Sequence, residues 1–157
     1  MWNLLPSERL RCWQEFRKAI GQKTLADALQ DTQHLWCYAP YVAHYLTTEH
    51  VEAWPGPWEL IYENYYCDLA KALGIVYTLS LSDHKLDLEI RVYSNPSNKD
   101  QYNLVFVNQG KYVLNLVHDE VVNKTIHRIS ICVLHLPIGL NLEGNANRQG
   151  LGFLKRI

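Results

Sequence analysis

The chain has 157 residues and a near-even charge balance, with 15 Lys and Arg against 16 Asp and Glu and a formal net charge of −1. This length fits a single domain with its own core, and the charge balance gives no electrostatic basis for binding nucleic acid or an anionic membrane. No apolar run reaches the roughly 18–20 residues of a membrane span, and the N-terminus lacks a signal-peptide layout. The cysteines are scattered, without a Cys-x-x-Cys motif, which favours reduced thiols in a protein made in a cytoplasm.

The N-terminal part of the chain predicts two helices. Residues 1–6 form a short apolar arm. Ser7 can cap a first helix that ends at Gly21, because a glycine readily terminates a helix. Thr24 can cap a second helix that ends somewhere between residues 30 and 38.

The middle of the chain predicts the helix around which the fold is organised, over about residues 57–82. Pro57 suits the first turn of a helix, where its missing N–H costs nothing. Apolar residues then recur at steps of three and four on two faces, so we expect this helix to be covered on two sides. Before it, residues 41–46 predict one or two further helical turns, and residues 49–57 a turn-rich link.

The C-terminal part changes to the two-residue period of strands. A polar turn is predicted at residues 94–100 and a tight hairpin at Asn108–Gly110, where the glycine can take a positive φ. The last strand is apolar on both faces at its far end, which predicts an interior position in the sheet. The four predicted strands cover residues 86–93, 102–108, 111–117 and 125–136.

This order of elements predicts an α+β fold, in which N-terminal helices and a central buried helix pack on a C-terminal antiparallel meander of about four strands. We expect one domain over residues 1–136, followed by an extended tail over residues 137–157. The tail has no hydrophobic period and contains four glycines. We expect such a segment to be held either by its own domain or by a neighbouring subunit.

Cys67 is the first candidate for chemistry. Residues 66–117 contain the segments CDLAKALGI and YNLVFVNQGKYVLNLV. This order of a cysteine-bearing helix, a strand, a glycine turn and a strand resembles the transglutaminase and papain-like core. The resemblance implies a cysteine hydrolase or acyltransferase in which Cys67, His118 and Asp119 are catalytic.

The same resemblance also shows where this chain departs from the family. The family's histidine stands at the start of the first strand, where this chain has Asp100, Gln101 or Tyr102. The remaining candidate bases would come from other strands, and they are His118, His127 and His135. Because Cys67 is also predicted inside the helix, away from its tip, we expect a buried core cysteine and no catalytic site.

Other patterns point to chemistry more weakly. His34 and Cys37 have H-x2-C spacing but no second pair of zinc ligands. The triplet His118–Glu120 predicts a solvated turn, and the acids and Arg91 over residues 87–91 predict the wet face of a strand, although they faintly resemble a nuclease layout. Glu59 and Glu63 lie one helical turn apart, and we interpret them as a solvated face. We therefore expect no metal and no cofactor.

The central segment WPGPWELI…YCDLAKALGIVYTLSLSDH, in a chain with five Trp and ten Tyr, resembles open reading frames of tailed bacteriophages. The resemblance implies a structural or assembly component of the neck, tail or baseplate, made in the bacterial host cytoplasm and located in the virion. Its partners would be other virion proteins and possibly copies of itself, with no nucleic acid and no membrane. The expected interface anchors are apolar residues of the two ends, namely Trp2, Leu4, Leu5, Leu151, Phe153 and Leu154. A cysteine enzyme and a small soluble adaptor or inhibitor remain open as alternatives.

Overall fold

The computed structural model of the chain describes residues 1–94, 101–122 and 134–136. Within these ranges, four α-helices precede an antiparallel sheet, which confirms the predicted α+β fold. The helices are α1 (Pro6–Gly21), α2 (Leu25–Cys37), α3 (Pro57–Glu63) and α4 (Asp68–Ser80). The strands are β1 (Leu88–Ser94), β2 (Gln101–Val107), β3 (Tyr112–Val117), β4 (Glu120–Val122) and β5 (Leu134–Leu136).

The first two helices begin for different reasons. Helix α1 starts at Pro6, one residue before the predicted cap Ser7, because proline fits the first helical position and Glu8 accepts a hydrogen bond from the Leu5 N–H at 3.3 Å. The prediction of Ser7 as the cap was therefore wrong. Helix α2 starts as predicted, because the Thr24 hydroxyl accepts a hydrogen bond from the Asp27 N–H at 3.3 Å.

The predicted central helix is divided into α3 and α4. Asn64 ends α3 in the left-handed conformation, with φ 61°, which asparagine tolerates better than most residues. An extended residue, Cys67, then precedes the first turn of α4. The prediction of one continuous helix over residues 57–82 was wrong for this reason. The predicted buried position is confirmed for the second part, α4, because ten of the thirteen residues of α4 are buried.

Helix α4 packs against α2 through a glycine and a hydroxyl group. Gly74 faces the Trp36 ring so closely that an added Cβ would lie 2.1 Å from the ring carbon Cη2. One turn later, the Thr78 hydroxyl accepts hydrogen bonds from the indole N–H groups of Trp13 and Trp36, both at 2.9 Å, and donates to the Gly74 carbonyl at 2.7 Å. All these groups are buried, so this arrangement fixes the geometry of three helices at once.

The segment between α2 and α3 contains one short 3-10 helix, Val51–Ala53, and its residues 41–46 are not helical. Tyr41 instead forms a parallel bridge with Tyr66, and the Val42 N–H donates to the Tyr66 carbonyl at 3.1 Å. His44 has a positive φ of 59°. The predicted helical turns over residues 41–46 were wrong, because this backbone bonds across to the extended residues between α3 and α4.

The described strands lie in the order β4-β3-β2-β1-β5, and every neighbouring pair is antiparallel. Strands β1 to β3 correspond to the first three strands of the predicted meander, and β4 extends it directly after β3 at a position where no strand was predicted. Strand β5 falls within the strand predicted at residues 125–136. Among the described strands it lies at the edge of the sheet, beside β1, whereas an interior position was predicted. The predicted hairpin turn is confirmed, with positive φ at Asn108, Gln109 and Gly110.

One face of the sheet packs on the helices and contributes to the main core through residues such as Ile90, Val105 and Leu114. The opposite face carries a smaller cluster built on Leu104 and Phe106. Three predicted features lie wholly or mostly outside the described residues: residues 95–100 of the turn predicted at 94–100, residues 125–133 of the strand predicted at 125–136, and the tail over residues 137–157. The first residue of that turn, Ser94, is the last residue of β1.

Candidate functional site

Cys67 lies at the N-terminal end of α4, as the residue before its first turn. The prediction that it sits inside a helix was wrong, because Asn64 breaks the helix upstream. This end of a helix can stabilise a thiolate. However, the residue is only 6% exposed, and its sulfur accepts a hydrogen bond from the Leu46 N–H at 3.4 Å. A second sulfur contact, 3.9 Å long, reaches the Leu46 carbonyl oxygen. Leu46 therefore covers the thiol.

His118 and Asp119 form the turn between β3 and β4, on the surface of α2. The Asp119 carboxylate lies 2.9 Å from His34 Nδ1 and accepts a hydrogen bond from the Tyr38 hydroxyl at 3.4 Å. That carboxylate raises the pKa of Tyr38. The His118 ring stacks edge-on against the same tyrosine, with ring centroids 5.8 Å apart. The structure thus brings Asp119 to His34, a pairing that the sequence did not suggest.

No described histidine makes a hydrogen bond with the Cys67 sulfur. The side chain that the sheet places at the first turn of α4 is an amide, Asn115, whose Nδ2 donates to the Asp68 carbonyl at 3.3 Å and to the Asn103 carbonyl at 2.8 Å. Of the positions where the resembled family has its histidine, Gln101 and Tyr102 begin β2 and are exposed. Amide and phenol groups at neutral pH cannot serve as the base that a cysteine nucleophile needs. His135 is on β5, where its backbone pairs with Arg91 of β1, and His127 lies outside the described residues.

The metal-binding and nuclease patterns of the sequence do not form a site among the described residues. Within the described ranges, no group of three or more His, Cys, Asp and Glu side chains is arranged to hold a metal ion. On β1, Arg91 Nη2 donates to Glu89 at 2.7 Å, and the guanidinium lies 4.2 Å from the centre of the Phe106 ring. This pair covers the smaller apolar cluster and has the character of a surface ion pair.

A cleft of about 370 Å³ lies between residues 45–55 and helix α3. Its aromatic walls are Tyr45 and Trp54, and the side chains of Glu59, Glu63 and His50 also line it. The Tyr45 hydroxyl donates to the Glu63 carboxylate, and the Trp54 indole N–H donates to the Thr47 carbonyl at 2.8 Å. Burial and the Glu63 carboxylate raise the pKa of Tyr45, so this phenol stays protonated and keeps donating. The rings and the carboxylate are therefore held in place.

Beside this cleft lies an exposed apolar surface, which we call the tyrosine surface. Tyr65 contacts Tyr45, with ring centroids 6.0 Å apart, and joins the surface to the cleft. Tyr65 is 53% exposed and Tyr62 is 46% exposed. Around the junction of α3 and α4, Arg9 binds the carbonyls of both Leu4 and Tyr62. The backbone of Tyr41 and Val42 pairs there with Tyr66, the residue after Tyr65. The members of the tyrosine surface are Leu4, Leu5, Tyr41, Val42, Tyr62 and Tyr65.

The arm is attached to this surface by Arg9, a buried cation. Its guanidinium donates to the carbonyls of Leu4 and Tyr62, both at 2.8 Å, and to that of Ile61 at 2.7 Å. These last two are carbonyls of α3, whose C-terminal part a cation stabilises. Of the predicted anchors, Leu4 and Leu5 are exposed, whereas Trp2 packs against Trp36 and Tyr66 of its own core. Leu151, Phe153 and Leu154 lie outside the described residues.

Sequence reasoning missed both the cleft and the tyrosine surface, because each is assembled from segments distant in the chain. One signal was present: Glu59 and Glu63 share a helix face with Tyr62 nearby, in a segment rich in aromatic residues. We interpreted that face as merely solvated. The contact of Tyr45 with Glu63 is what turns it into a cleft wall.

No protein-family model, no curated protein and no solved structure matches this chain. Across the residues that the structure describes, none of the helices has the length and apolar character needed to cross a membrane.

Proposed function

We propose that this chain is a structural or assembly component that acts by docking onto other proteins through the tyrosine surface. The observation that carries the proposal is the exposure of Tyr41, Tyr62 and Tyr65 around one junction, beside the exposed leucines of the arm. Tyrosine supplies a large contact area at low entropic cost and is enriched among the residues that dominate binding energies. Singly scattered apolar residues would need no explanation, but a group of this kind marks an interaction site.

The particle that we propose for this role is a tailed-phage virion, with other virion proteins as partners. What supports this part is the resemblance of the central segment to phage open reading frames. The anchors expected from the sequence were the two ends, and the tyrosine surface adds a site on the folded domain next to the N-terminal arm. Docking would then use both, because Arg9 holds the arm against α3.

The protein composition of purified particles tests this proposal. We expect mass spectrometry of virions from the phage that encodes the chain to find it at a fixed stoichiometry relative to a tail or neck protein. A chain that is made during infection but stays in the unassembled fraction would contradict the virion role. That second result would instead favour the small adaptor or inhibitor, which uses the same surface on a free partner.

A cysteine hydrolase or acyltransferase is the second candidate, and the observation in its favour is the position of Cys67 before the first turn of α4. Its covered sulfur argues against it. We expect iodoacetamide at neutral pH to modify Cys67 more slowly than Cys12 and Cys37, which are partly exposed. Peptide mapping after graded exposure of the folded chain measures the three rates, and the urea-unfolded chain provides the reference. Faster modification of Cys67 than of Cys12 and Cys37 would favour the cysteine enzyme instead.

A further inference from the structure

The cleft beside the tyrosine surface has a charge that nothing in the described chain balances. Glu59 and Glu63 lie four residues apart on α3, and like charges at this spacing destabilise a helix. Glu63 also stands in the last turn, where the helix dipole disfavours a negative charge. Neither carboxylate forms an ion pair with a lysine or arginine within the described ranges, and the one basic side chain of the cleft, His50, pairs with Glu52 at 3.3 Å.

The walls of the cleft suit an organic cation better than a metal ion. An aromatic ring attracts a cation placed over its face, and this attraction grows when the cation is partly desolvated. The Trp54 ring is fixed by its bond to the Thr47 carbonyl, and the Tyr45 ring by its bond to Glu63. A metal ion would need three or more suitably placed ligands, and the described residues contain no such group.

We infer that this cleft binds the cationic end of an arginine or lysine side chain from the docking partner. The inference rests on the proposed docking function, because Tyr65 joins the cleft to the tyrosine surface and a partner seated there would reach both. The cation would lie against the rings of Tyr45 and Trp54 and pair with Glu59 and Glu63. Fixed walls reduce the ordering cost of binding, so the site is prepared before the partner arrives.

Two small probes test the inference on the full chain: Nα-acetyl-arginine methylamide, and the same compound made from citrulline, which has nearly the same shape but no charge. We expect the arginine probe to shift the NMR signal of the Trp54 indole N–H until the site is saturated. The variant Trp54→Phe, which lacks this signal, assigns it. The citrulline probe should bind at least about tenfold more weakly than the arginine probe, and tenfold corresponds to about 1.4 kcal/mol. Equal binding of the two probes, or no shift at Trp54, would overturn the inference.

A pair of matched variants separates local recognition from general electrostatics. Glu59→Gln with Glu63→Gln should weaken the arginine probe by about tenfold or more. The control, Glu15→Gln with Asp87→Asn, changes the net charge equally at exposed acids outside the cleft and should leave binding unchanged. An equal loss of affinity for the arginine probe in both double variants would contradict the inference. Circular dichroism of each variant verifies the fold.

Incorporation into particles distinguishes this inference from the function on which it rests. If tyrosine-surface variants abolish incorporation while Glu59→Gln with Glu63→Gln does not reduce it, the docking function stands and the cationic contact is wrong. If neither set of variants affects incorporation, the docking function is wrong, and the probe titration still decides whether the cleft binds cations.

Discussion

Replacing Gly74 with alanine should destabilise the folded chain by about 3 kcal/mol. An added Cβ would lie 2.1 Å from Trp36 Cη2, 2.3 Å from Cζ2 and 2.4 Å from Cζ3, far inside van der Waals contact. The ring cannot move away easily, because its indole N–H is bound to Thr78 and the ring contacts those of Trp2 and Tyr66. Helices α2 and α4 must therefore separate, which opens the centre of the core.

Urea unfolding followed by tryptophan fluorescence measures this loss as a lower midpoint with an unchanged slope. The control is Gly56→Ala. Gly56 precedes α3 with φ −67°, and a Cβ there would meet nothing within 4 Å. The control should change stability by no more than about 0.5 kcal/mol. If Gly74→Ala matched the control, the close approach of α2 and α4 would be wrong.

Replacing Thr78 with valine should cost about 2–6 kcal/mol, although the side chain keeps its shape. The hydroxyl is the acceptor for the indole N–H groups of both Trp13 and Trp36. Its removal leaves two buried donors without a partner, and each orphaned donor costs about 1–3 kcal/mol. Loss of the hydroxyl's own bond to the Gly74 carbonyl adds little, because that carbonyl belongs to the helix ladder.

Thr78→Ser is the matched control, since it keeps the oxygen and removes one methyl group, at a cost of about 1 kcal/mol. The two variants should also differ in NMR spectra, where the indole N–H signals of Trp13 and Trp36 move in Thr78→Val and stay nearly in place in Thr78→Ser. A valine variant as stable as the serine variant would show that the two indoles are not bound to this hydroxyl.

The fold class was predictable because its periods are strong. The alternation at Leu88, Ile90 and Val92 predicted β1, and the turn at Gly110 fixed the register of β2 against β3. The break between α3 and α4 was not predictable from hydrophobic period, since the apolar stripe continues across it. Only the left-handed conformation of Asn64 reveals it, and that conformation is stabilised by contacts with the arm, where the Asn64 side chain donates to the Trp2 carbonyl at 3.1 Å.

The candidate site was less predictable than the fold, because it depends on contacts between distant segments. Leu46 covers Cys67 across 21 residues of sequence, and Tyr45 reaches Glu63 across 18. The pairing of His34 with Asp119 spans 85 residues. None of these has a local signal, so the sequence identified the residue types but not their partners.

Incorporation of surface variants into virions is the most direct measurement of whether this chain acts by docking. Tyr62→Ser with Tyr65→Ser should reduce the amount of chain in purified particles by about tenfold or more, without lowering the urea midpoint, because both side chains are exposed. The control is Tyr102→Ser, at an exposed tyrosine near the start of β2 that is not part of the tyrosine surface, and it should incorporate normally. Normal incorporation of the double variant, or equal loss in the control, would contradict docking through this surface.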